Sequence, residues 1–121
     1  MKLKMILALS TLLMVGMVSG PALADGDGAE VFKKRCKVCH SIEAGKHKMG
    51  PSLAGIMGRK AGTTDFAKYI GIKDFGIVWD AENMDKFLAD PKKFVGAKTM
   101  AYKLKKEEDR AAVIAYLQTL K

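Results

Sequence analysis

Cys36-Lys37-Val38-Cys39-His40 is the stretch from which the rest of this chain can be read. Two cysteines separated by two residues, with a histidine directly after the second, form the attachment pattern of a c-type haem. The spacing follows from the chemistry. Two thiols this close can each add across a vinyl group of one porphyrin, and the adjacent imidazole is then held under the iron as proximal ligand. A plain C-x-x-C lacks that histidine. A zinc centre needs four ligands; 2 Cys and 2 His could supply the number, but the separation of His40 from His47 fits no common zinc spacing. A thioredoxin-like redox pair would require strand–helix–strand context, and the flanking sequence has none.

Upstream of the motif, Met1-Lys2-Leu3-Lys4 is a short basic head and Met5 to Val18 is almost wholly apolar. Ser19-Gly20-Pro21 breaks the run, and Ala22-Leu23-Ala24 is a small-x-small cleavage site. This is the pattern of a secretory signal peptide over residues 1–24. The apolar run is shorter than the roughly 18–20 residues of a spanning helix, so no stable membrane insertion is expected after cleavage. Residues 25–121 then form one exported domain, placed in the bacterial periplasm, where c-type haem is attached. A domain this short buries little surface by itself, and a haem would supply the missing apolar centre. The 21 basic and 13 acidic residues give a formal charge of +8. Their charges are interspersed, which argues against a nucleic-acid-binding tail and suits steering towards an acidic protein partner.

The periodicity predicts an all-α chain of short helices and loops wrapped around the haem. Asp27-Gly28-Ala29-Glu30 reads as a capping box, with Ala29, Phe32 and Cys36 on one helical face. Ser41 to Lys73 has frequent Gly and Pro and reads as loop. Asp80 can cap a second helix whose apolar stripe is Met84, Phe87 and Leu88, stopped by Asp90-Pro91. A loop is expected through Met100. Glu107, Glu108 and Asp109 suit the first turn of a last helix, with Val113, Ile114, Leu117 and Leu120 as its buried face.

Histidine and methionine are the usual partners for the far side of the iron. His47 is too near His40 to cross the haem plane and reads as a turn residue. Met84 reads as core, and Met49 is close to the attachment motif. Met100 is far enough downstream for the chain to wrap round the haem, in a loop before the last helix; spacing alone leaves Met57 open.

The chain resembles the class I cytochromes c, of the mitochondrial type and the bacterial cytochrome c2 type. The likeness rests on Val31-Phe32, Cys36 to His40, Gly50-Pro51-x-Leu53, Gly58-Arg59-Lys60, Gly76-Ile77-Val78-Trp79, Phe87-Leu88-x-Asp90-Pro91-Lys92-Lys93-Phe94, Met100 and Ile114-Ala115-Tyr116-Leu117. It covers residues 25–121. The resemblance implies one covalent haem c on Cys36 and Cys39, with His40 and Met100 as axial iron ligands. It implies that the Pro51 carbonyl accepts a hydrogen bond from the proximal imidazole, and that Arg59, Tyr69 and Trp79 surround a buried propionate. It also implies that Gly28 and Phe32 meet Tyr116 and Leu117 where the first helix crosses the last. The chain departs from the family pattern before the axial methionine: Gly96-Ala97-Lys98-Thr99 stands where Pro-Gly-Thr-Lys is usual. The loop has lost a stiffening proline, and the threonine is displaced. Phe87 replaces a frequent tyrosine, and Tyr102 a frequent phenylalanine.

The resulting expectation is a monomeric periplasmic one-electron carrier and not an enzyme. The resemblance implies acidic redox partners, such as a cytochrome bc1-type reductase and an oxidase, reaction centre or nitrogen-oxide reductase. Lys34, Arg35, Lys37, Lys48, Lys92, Lys93, Lys98 and Lys103 are the docking candidates. The competing reading is a haem enzyme or gas sensor with an open sixth site, which requires Met100 to be off the iron.

Overall fold

A computed structural model describes residue 16 and residues 25–69, 71–73 and 75–121. The expected export segment, residues 1–24, thus lies outside the described residues apart from Gly16. Helices run over Asp25–Arg35 (α1), Ala81–Ala89 (α2), Pro91–Val95 (α3) and Glu107–Thr119 (α4). No strand occurs among the described residues; Lys60 and Val78 form an isolated antiparallel bridge. No helix among them is long and apolar enough to cross a membrane.

α1 packs across α4, and Gly28 is the reason they can approach so closely. A β-carbon at Gly28 would lie 2.2 Å from the Ala112 carbonyl oxygen and 2.6 Å from Cβ of Tyr116. One turn on, the rings of Phe32 and Tyr116 meet with centroids 5.6 Å apart. Phe32, Val113 and Leu117 are buried. The helix begins at Asp25, so Asp27 is not its cap, contrary to the capping-box reading. Asp27 lies in the first turn, where a carboxylate still complements the helix dipole.

Asp80 caps α2 through its side chain, which accepts from the backbone N–H of Asn83. The stripe Met84, Phe87 and Leu88 is buried. The expected loop from Asp90 to Met100 is corrected in its first half, because Pro91–Val95 is a short helix. Pro91 stops α2 but is preorganised for the first position of a new helix. Asp90 caps that helix by accepting from the Lys93 N–H, and Gly96 ends it in the left-handed conformation at φ 65°. On α4 the buried face is Ala112, Val113, Ile114 and Leu117. Leu120 lies just past the helix end and is half-buried.

The stretch from Ser41 to Ile77 carries no helix among its described residues. It is held by specific ties. His47 accepts from the Ser52 N–H at 3.0 Å on Nδ1 and donates to Asp65 at 2.5 Å from Nε2. The ring therefore joins two loops, in line with a turn residue. Paired backbone bonds, from Trp79 N–H to the Arg59 carbonyl (2.9 Å) and from Gly58 N–H to the Trp79 carbonyl (2.7 Å), fix the indole between loop and core.

Candidate functional site

The last turn of α1 delivers the motif. Cys36 N–H still bonds back to the Phe32 carbonyl at 2.8 Å, and the N–H groups of Cys39 and His40 both turn back on the Cys36 carbonyl at 3.0 and 2.9 Å. This tight winding places both thiols and the imidazole on one cavity. The cysteines are free and half-buried. Burial, followed by the neighbouring Cys39 thiol, pushes the Cys36 thiol up to about 11. The thiol is therefore protonated at neutral pH and is not poised to bind a metal as thiolate.

His40 is buried, and its Nδ1 lies 2.7 Å from the Pro51 carbonyl oxygen. A carbonyl can only accept, so Nδ1 carries the proton. Burial holds the imidazole below its ordinary pKa, against the opposing pull of the Pro51 hydrogen bond. The ring is neutral at pH 7, and Nε2 keeps a free lone pair of the kind an iron takes.

The cavity measures about 510 Å³ and is mostly apolar. Cys36, Cys39, His40, Pro51, Arg59, Tyr69, Trp79 and Met100 all line it. Helix faces from across the fold complete the wall, among them Phe32, Leu88, Val113 and Leu117. Of the four methionines downstream of residue 24, Met100 is half-buried on the wall and Met84 is sunk in the core. Met49 is 74% exposed at the rim, and Met57 packs against the core without lining the cavity. Met49 and Met84 also line the cavity, whereas Met57, the alternative left open by spacing, does not.

Trp79 is buried against Phe87, with ring centroids 4.9 Å apart. Arg59 is half-buried on the wall, and its Nη1 donates to the Ala54 carbonyl at 2.9 Å. The Tyr69 hydroxyl is hydrogen-bonded to Thr64. Thr99, displaced in sequence, still reaches the cavity. Sequence reasoning did not see that Gly50 gives the His40 ring its room, that Arg35, read only as a docking candidate, lines the wall, or that Lys68 does so too. Gly50 stood in the Gly50-Pro51-x-Leu53 motif that carries the resemblance, but without a role of its own.

These residues fit a covalently held porphyrin. An apolar cavity lined by two adjacent thiols, a neutral imidazole and a thioether defines a haem-c protein of all-α fold. The comparisons agree: the family model for cytochrome c matches residues 26–121. Cytochrome c2 iso-2 of Magnetospirillum molischianum is 51% identical over 89 residues, covering 71% of this chain and 91% of that protein. Cytochrome c of Theileria annulata is 45% identical over 93 residues, covering 75% of this chain and 81% of that one. Cytochrome c of Euglena viridis is 41% identical over 96 residues, covering 78% and 94%. The chain belongs to the cytochrome c family. It carries one covalent haem c, and it is an electron carrier rather than an enzyme.

Proposed function

We propose that this chain is a soluble periplasmic one-electron carrier with His40 and Met100 as the axial ligands of a haem joined to Cys36 and Cys39. The haem supplies the ferrous–ferric couple; the protein sets where it sits and how strongly each state is favoured. The Pro51 carbonyl fixes the imidazole tautomer, the apolar wall excludes water, and a thioether on the far side favours the ferrous state. Trp79, Arg59 and Tyr69 serve as pocket residues near the propionates. The observation that carries the reading is that Met100 and His40 line the same cavity as both thiols. With both axial positions filled by protein, no substrate reaches the iron, which disfavours the enzyme or sensor reading.

Export rests on the basic head, short apolar run and cleavage pattern of residues 1–24, and is supported by a family match that begins at residue 26. Acidic faces on a cytochrome bc1-type reductase and on an oxidase, reaction centre or nitrogen-oxide reductase are the partners its charge suits. Lys34, Lys37, Lys92, Lys93 and Lys98 are exposed and available to them. Lys48 is committed to the Lys37 carbonyl at 2.8 Å and Lys103 to Asp90, so they are weaker candidates.

Met100→Ala tests the site. The haem should stay covalently bound, the far-red band of the oxidised protein should vanish and the midpoint potential should fall. An unchanged spectrum and potential would place the sixth ligand elsewhere.

A further inference from the structure

The segment that carries Met100 lacks the proline usual before it, yet its two ends are firmly fixed. At the start, the Gly96 N–H bonds to the Lys92 carbonyl at 2.9 Å, and Ala97 is buried. Gly71 presses on the same point: a β-carbon there would come within 2.7 Å of the Gly96 carbonyl oxygen. At the far end, the Leu104 N–H bonds to the Leu88 carbonyl at 2.8 Å. Arg110 Nη1 donates to the carbonyls of Leu104 and Lys105 at 3.0 and 2.9 Å.

Between these anchors, residues 98–103 have a single polar tie among the described residues. Lys103 Nζ lies 2.8 Å from Asp90 Oδ2. The other oxygen of the same carboxylate accepts from the Lys93 N–H at 3.1 Å and caps α3. Asp90 therefore joins the α2–α3 junction to the segment three residues beyond Met100. The aspartate is already immobilised by its cap, so little further entropy is lost in holding the lysine.

We propose that Asp90 and Lys103 are positioning residues for the axial ligand, an ion-pair clasp that holds the Met100 segment against the cavity. The inference rests on Met100 being that ligand. Imidazole added from solution can bind the iron only when the segment swings away. Its apparent affinity therefore reports the fraction of molecules with the segment open. A clasp raises that opening cost; a residue of general structural use does not do so selectively.

The test uses ferric holoprotein titrated with imidazole, followed by loss of the far-red band. Lys103→Met and Asp90→Asn should each raise imidazole affinity about two- to fivefold, the range set by partly exposed ion pairs. Asparagine caps helices as well as aspartate, so Asp90→Asn removes the pair and keeps α3. The double variant should exceed neither single variant, and Lys103→Arg should restore wild-type affinity. Raising the salt should bring wild type towards Lys103→Met, because the pair is partly exposed. Wild-type affinity in both single variants would overturn the clasp, as would a lowered urea midpoint with no change in imidazole affinity. A separate arm checks the premise: Met100→Ala that retains the far-red band would refute the ligand assignment itself, and the clasp with it.

Discussion

Gly50 lies directly against the ring of His40, so close that a β-carbon there would stand 2.3 Å from Cε1. The next residue, Pro51, holds Nδ1 of the same ring at 2.7 Å through its carbonyl. One dipeptide thus gives the imidazole both its room and its orientation. Gly50→Ala should displace the ring or the Pro51 carbonyl and cost about 1–3 kcal/mol, as overpacking does. Guanidinium unfolding of the holoprotein, with the visible spectrum recorded alongside, checks it. A variant with wild-type stability and spectrum would show that the ring has slack the structure does not indicate.

Covalent attachment needs both thiols. Cys36→Ala with Cys39→Ala should give a chain that shows no haem stain after denaturing electrophoresis, whereas wild type retains it. Each single variant should be held by one thioether at most. Full staining of the double variant would refute the attachment chemistry.

The α1–α4 crossing should be as intolerant as the His40 pocket. A β-carbon at Gly28 meets backbone, the Ala112 carbonyl oxygen, and not a flexible side-chain end. Gly28→Ala should therefore push the helices apart and destabilise the holoprotein by about 1–3 kcal/mol. The gain in helix propensity, about 1 kcal/mol for Gly to Ala, is too small to reverse the sign. Thermal and denaturant midpoints are the measurements.

Acid should act on Asp90 with a defined sign. The Lys103 ammonium beside it, with the Lys93 N–H at its other oxygen, holds its carboxyl below the usual carboxylate range. A depressed carboxyl stabilises the fold above its unfolded value, near pH 4, and that contribution is lost as pH falls through the lower folded value. The stability difference between wild type and Asp90→Asn should thus be constant well above the unfolded carboxyl value and shrink as pH falls below it towards the lower folded value. A difference that persists undiminished in acid would mean that the carboxylate charge contributes nothing.

Docking through exposed lysines should slow as salt rises, because such charges are screened over about 8 Å at physiological ionic strength. Changing Lys92 and Lys93 together to Glu should lower the second-order electron-transfer rate with an acidic partner and leave the midpoint potential in place. Stopped-flow rates against ionic strength decide it. A flat salt dependence would point to apolar docking instead.

The sequence by itself determined the chemistry and the local elements. Cys36-x-x-Cys39-His40 is contiguous, so its meaning needs no fold. Asp80 before the Met84, Phe87 and Leu88 stripe, and the acidic start of α4, are local signals that helices obey. Where two local rules competed, the sequence misled. Pro91 reads as a stop, but after Asp90 it opens α3, and Asp27 reads as a cap although α1 starts at Asp25. Tertiary structure alone decided what depends on residues distant in the chain. It set Met100 rather than Met57 on the cavity, gave His47 a partner in Asp65, and turned the Arg59 Nη1 to the Ala54 carbonyl. It also brought Lys103 to Asp90. The reason is physical: helix periodicity and capping are fixed over a few residues, whereas these pairings exist only once the loops have closed around a shared apolar centre.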